Sequence, residues 1–144
     1  MIATILFITG DDNYKDRVLD NRLNSETDVI WYGQTNQKST DKYVLNREEI
    51  HIWYRKKQKD KFKYLGKVKE KKVLKERDND QNLVVDMKIE KENLKINAET
   101  EAEVYDYEAN NRASCTKNKM NCFKLLGMEP WGNWCSGIMI GNYE

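Results

Sequence analysis

The pattern of apolar and polar positions predicts more strands than helices. IATILFIT, residues 2–9, is β-branched and apolar throughout and is expected as a largely buried strand closed by Gly10. In DDNYKDRVLDNRLN the pairs Tyr14/Val18 and Leu19/Leu23 lie four apart behind a run of acids, which predicts a short helix with an Asp or Asn cap. TDVIWYGQTN follows as a strand and QKSTD as a loop. EEIHIWYRKK forms the next strand, with Ile50, Ile52 and Tyr54 on one face and His51, Trp53 and Arg55 on the other. KFKYLGKVK alternates cleanly: Phe62, Tyr64, Gly66 and Val68 fall on one side, Lys61, Lys63, Leu65, Lys67 and Lys69 on the other. The turns KQKD and ERDNDQN join these strands to LVVDMKIE, so three consecutive strands make a meander.

Residues 92–113 are acidic and poorly periodic, expected as loop with one strand at NLKI. SCTKNKMNCFKLLG reads as a helix capped by Ser114 or Thr116 and ended by Gly127, before WGNWCSGIMIG turns and returns as a last strand. The expected fold class is α+β in a single domain over residues 1–144: a small, mainly antiparallel curled sheet or a PUA-like β-barrel with two short peripheral helices.

Composition changes the picture through charge. The net charge of +1 conceals segregation. Residues 51–75 carry 11 basic and 2 acidic side chains, and residues 76–110 carry 4 and 11. A concentrated basic segment is what a phosphate backbone attracts, because each neutralised phosphate releases counterions. The competing arrangement has the two segments as neighbouring strands that neutralise each other.

Three cysteines, Cys115, Cys122 and Cys135, form an odd set without paired metal spacing, which points to a reducing compartment, cytoplasmic or nuclear. The opening apolar run is too short to span a bilayer and lacks a basic leader, so a soluble protein is expected, with no membrane partner.

Catalytic machinery is scarce. His51, the only histidine, lies inside a strand, where a structural or ligand-contact role outweighs acid-base catalysis. No phosphate-binding or dinucleotide-binding glycine loop occurs, and no metal or other cofactor is expected. Asp78 with Asp80, or Asp86 with Glu90, could hold magnesium as in a small nuclease, but acids of this kind more often sit on solvated turns.

The aromatic residues Trp31, Tyr32, Trp53, Tyr54, Phe62 and Tyr64 belong mostly to the core, yet adjacent rings on a strand point to opposite sides. One of each pair is therefore expected outside the sheet or in a cavity. Rings beside lysines suit base stacking along a phosphate-tracking surface.

The stretches DVIWYGQTNQKST, EEIHIWYRKK and KFKYLGKV together resemble the PUA-like domain at the C-terminus of helicase-type, SauUSI-like modification-dependent restriction proteins. Trp31, Gly33, Gln34, Thr35 and Asn36 fill the first part of that pattern, Arg55 the second, and Phe62, Tyr64, Leu65 and Gly66 the third. The resemblance covers residues 10–90; residues 92–144 form an extension outside it, and no helicase or nuclease accompanies the match.

It implies a reader of modified DNA, akin to the SRA and EVE folds, that flips a base into a pocket. Trp31, Gln34, Thr35 and Asn36 would line the pocket, and Arg55, Lys56, Lys61, Lys63, Lys67 and Lys69 would hold phosphates. The expected function is thus a non-enzymatic nucleic-acid-binding module, for DNA rather than RNA. The alternatives are an assembly protein that forms homo-oligomers or meets a protein partner through the acidic segment 76–110, and a small metal-dependent nuclease.

Overall fold

A computed structural model describes residues 2–10, 12–14, 17–34, 38–57, 60–79, 81–90, 112–132 and 137–143, with side chains described for all of these except 12–14, 17, 18 and 112–118. The chain runs β1 (Ile2–Thr9), β2 (Asp12–Tyr14), β3 (Arg17–Leu19), β4 (Arg22–Ser25), β5 (Asp28–Tyr32), α1 (Lys42–Leu45), β6 (Ile50–Arg55), β7 (Lys63–Lys75), β8 (Val84–Glu90), α2 (Arg112–Leu125), β9 (Met128–Pro130) and β10 (Ile138–Tyr143). A 3-10 turn at 38–40 precedes α1. Eight strands form one mixed sheet in the order β4-β5-β8-β7-β6-β1-β10-β9, and β2 and β3 form a separate hairpin.

The pair β1 and β6 is parallel, and the other strand pairs are antiparallel. The meander β6-β7-β8 stands as expected.

The curled α+β sheet is present, but it is not a barrel. The order ends at β4 and β9, which pair only with β5 and β10 among the described residues. These edges hold four and three residues, and one carries Arg22 and the other Pro130. Short edges with a charge or a proline offer little ladder to a further strand. Side chains partly bridge the curl instead: Asn21 Nδ2 donates to Thr9 O at 3.2 Å, and Tyr32 N donates to Asn21 Oδ1 at 2.7 Å, which ties the end of β1 to the end of β5.

That clasp also explains why the helix expected over residues 11–24 is absent. Two pairs of apolar residues spaced by four do not fill a helical stripe, whereas β5 presents a backbone edge that Arg22 and Leu23 pair with, opposite Ile30 and Val29. Tertiary pairing outweighs a weak periodic signal. The helices among the described residues are α1, which directly follows the loop expected at QKSTD, and α2, which begins upstream of the expected cap at Ser114 or Thr116. Gly127 follows α2 with φ +72°, the left-handed geometry that ends helices, and its N–H bonds to Lys124 O at 3.0 Å. NLKI lies outside the described residues.

Each face of the sheet carries a core. One core gathers Leu6, Ile8, Val29, Trp31, Ile52, Val85 and Met87, and is closed by Val44 of α1. The other gathers Ile5, Phe7, Trp53, Phe62, Tyr64 and Met139 under Cys122 and Phe123 of α2. Trp53 and Tyr54 do point opposite ways, but Trp53 is wholly buried and Tyr54 packs on the first core, so neither ring of that pair is left outside.

The single-face assignment for β7 fails. Ile52 pairs with Gly66 and Trp53 with Tyr64, so Leu65 is an extra residue in a bulge. Phe62 and Tyr64 consequently join the second core while Val68 joins the first, and Leu65 packs on the first core instead of standing among the lysines.

Candidate nucleic-acid interface and a buried histidine network

β7 carries the lysines into solvent along both sides of one long strand. Lys63 pairs across from Tyr54 and Lys67 from His51. Tyr54 and His51 are three apart on β6, so these two lysines stand on opposite faces. Lys56, Lys61, Lys63 and Lys69 are exposed, and Lys67 is half-buried. Lys57, Lys72 and Lys75 extend the exposed set.

Acids of β8 lie across from part of this strand: Glu90 opposite Lys67 and Asp86 opposite Lys72. Neutralisation is therefore partial. The ion pairs at this end are Lys67 with Glu49 at 3.7 Å, and Lys88 of β8 with Asp28 and Asp86 at 2.7 and 3.6 Å.

Two basic residues of the segment serve the scaffold. Arg55 is buried: its Nε donates to Thr9 Oγ1 at 2.9 Å and its guanidinium lies 4.3 Å over the Phe62 ring. Lys71 turns inward and donates to the carbonyls of Val44 and Arg47, each at 2.8 Å, at the C-terminal end of α1, where exposed carbonyls favour a cation.

Of the residues that the resemblance places around a base, Trp31 is 4% exposed within the first core. Gln34 is half-buried; its carbonyl accepts from Arg77 Nη2 at 2.8 Å, and Arg77 in turn bonds Asp41. Thr35 and Asn36 lie outside the described residues.

A polar cluster sits where β6, β7 and β10 meet. Tyr143 Oη donates to Glu49 Oε1 at 2.8 Å, leaving its oxygen to accept from His51 Nε2 at 3.2 Å. His51 Nδ1 is then the acceptor for Tyr64 Oη at 2.8 Å. Glu49 Oε1 also lies 3.4 Å from His51 Nε2, while the buried Oε2 has no hydrogen-bond partner. Burial pulls His51 below its ordinary value; Glu49 opposes this and Lys67 reinforces it. Burial pushes both tyrosines up, so they remain phenols. The sequence placed His51 in a strand without identifying these partners, which come from residues 2, 13, 16 and 92 positions away along the chain.

Lys119 of α2 is a further buried titratable group. Its ammonium lies 4.7 Å over Phe7 and 5.7 Å over Phe62, and burial, aided by Arg55, brings it down to about 7. Because the unfolded chain binds that proton at higher pH than the folded one, Lys119 makes stability fall as pH drops from about 10 toward 7. Lys119→Met should flatten urea-unfolding stability over that window, and an unchanged slope would exclude this assignment.

Burial pushes the Cys122 thiol up to about 12, so it is inert as a nucleophile. The Cys115 side chain and Cys135 lie outside the described residues.

Two of the acids considered for magnesium, Asp78 and Asp86, have other partners. Asp78 Oδ1 accepts from Gln81 N at 2.8 Å, and Asp80 lies outside the described residues. Asp86 shares Lys88 with Asp28, and its carboxyl is held up first by its hydrogen bond with Asp28. Among the described residues no three His, Cys, Asp or Glu side chains converge as metal ligands, and no helix is long and apolar enough to cross a membrane. No protein-family model, curated protein or solved structure matches the chain.

Proposed function

We propose that the chain is a non-enzymatic nucleic-acid-binding module that meets the phosphate backbone along β7 and the β6-β7 connection. The observation that carries this is the set of exposed lysines along the two sides of β7 and in the β6-β7 connection. Lys56, Lys57, Lys63, Lys69, Lys72 and Lys75 reach solvent and form no ion pair with a carboxylate among the described residues. A 13-residue strand extends about 40 Å, long enough for several successive phosphates.

The resemblance to PUA-like readers of modified DNA points the same way and favours duplex DNA as ligand. Base selectivity through Trp31 would require the first core to open, so the phosphate contacts are the substance of the proposal.

Labelled duplex DNA titrated at about 50, 100 and 200 mM salt tests it. Affinity should fall with a log-log slope of about −0.9 per phosphate neutralised. The triple substitution Lys63→Gln, Lys69→Gln, Lys72→Gln should weaken binding about 10- to 100-fold at low salt and reduce the slope by about 2 to 3, without changing stability. Absence of binding at the lowest salt would overturn the proposal. Salt-sensitive oligomers without DNA affinity would favour the assembly alternative instead.

A further inference from the structure

We infer that nucleic-acid binding at Lys67 is linked to proton uptake by His51, because a phosphate and Glu49 compete for the same ammonium group. The inference rests on the proposed function and concerns the regulation of that surface. Lys67 has 42% of its side chain exposed, while its Nζ lies 3.7 Å from Glu49 Oε1. One part of this residue is therefore available to solvent, and its charge is shared with a carboxylate whose side chain is only 8% exposed. Glu49 has Lys67 and, when protonated, His51 as its cationic neighbours, and its Oε2 already lacks a hydrogen-bond partner.

If Lys67 turns outward to a phosphate, Glu49 keeps only the Tyr143 hydroxyl and a neutral imidazole. A buried carboxylate stripped of its cation is costly. The nearest remedy is a solvent proton on His51. Nδ1 takes up the proton, the Tyr64 hydroxyl rotates from donor to acceptor, and imidazolium replaces ammonium beside Glu49 at 3.4 Å. One positive charge leaves the cluster and one enters.

The groups facing His51 are Glu49 before it on the chain, Tyr64 and Lys67 from β7, and Tyr143 from β10; Glu90 of β8 lies across from Lys67, and β1 contributes the apolar Ile5. Lys67 also acts electrostatically against protonation of His51, so drawing its charge away moves His51 upward. Binding should therefore tighten as pH falls through the imidazole range, by up to about tenfold where the imidazole comes to hold its proton one pH unit higher in the complex.

The test measures anisotropy of a duplex bearing a pH-insensitive dye at about pH 8 and about pH 5, the span over which imidazoles change charge, at fixed ionic strength. Calorimetry in two buffers of different ionisation enthalpy then counts protons. The native chain should bind about three- to tenfold tighter at the lower pH and take up a substantial fraction of one proton. Lys67→Gln should bind more weakly, with a pH ratio near one and no uptake from this source. Lys119 titrates in the same window but is retained in that variant, so the difference between the two proteins isolates the His51 linkage. His51→Gln should likewise lose the pH ratio; should it fail to fold, Lys67→Gln alone decides, since its side chain is partly in solvent. Equal pH ratios in the native chain and Lys67→Gln would overturn the linkage while leaving the proposed function intact. No binding at either pH would overturn the proposed function itself.

Discussion

Trp31→Ala is expected to lose about 3–5 kcal/mol of folding stability, the usual cost of deleting a large ring from a packed interior. The indole is 4% exposed in the core that joins β1, β5, β6, β7 and β8, so removing it leaves a cavity that several strands would have to collapse to fill. A domain of this size has about 5–15 kcal/mol in all, and the variant should sit near its unfolding threshold at about 37 °C. Urea unfolding followed by far-ultraviolet circular dichroism measures this directly. The result matters beyond stability, because the family resemblance places Trp31 in a base pocket. A variant that keeps native stability but loses preference for a modified base would return the ring to that pocket and remove it from the scaffold.

Gly66→Ala is expected to cost about 3 kcal/mol or more. Gly66 has φ +131°, a region that side chains rarely enter, and an added Cβ would stand 2.8 Å from Ile89 Cγ2 and 2.9 Å from Glu90 O. The Ile89 methyl could shift a little; the carbonyl is backbone within β8. Relief would require moving the bulge, and a one-residue slip would exchange the faces of β7, turning Val68 away from the first core. A fall in Tm of about 10 °C, with faster amide exchange concentrated in β7 and β8, is the expected signature. A drop without that local exchange pattern would assign the cost to backbone strain alone.

The same glycine shows why the site was only partly legible beforehand. Alternation from Lys61 to Lys69 identified a half-buried strand, and the strand is there. Continued unbroken, however, the alternation placed Lys61, Lys63, Leu65, Lys67 and Lys69 together on one open side. The bulge at Leu65 reverses the count midway, so Lys63 and Lys67 stand on opposite faces. Bulges depend on the paired strand, so a pattern confined to one strand carries no trace of the reversal except the glycine.

Arg55 and Lys71 illustrate a related limit. Both belong to the basic block, yet one stacks on Phe62 and the other satisfies the carbonyls at the end of α1. Charge counted along a chain says where cations are placed in order, while the side on which each emerges depends on what packs there.

The amino-acid sequence by itself determined that the chain makes a mainly antiparallel sheet, that residues 50–90 form a meander, and that its cations concentrate on one strand of it. Alternation and turn residues act locally, so they survive without knowledge of the partners. Only the tertiary structure decided that the sheet stays open, that residues 22–25 pair with β5 instead of coiling, and that Glu49, His51, Tyr64, Lys67 and Tyr143 share one cluster. Those outcomes rest on contacts between segments far apart in the chain, where geometry selects among pairings that local preference leaves nearly equal in free energy.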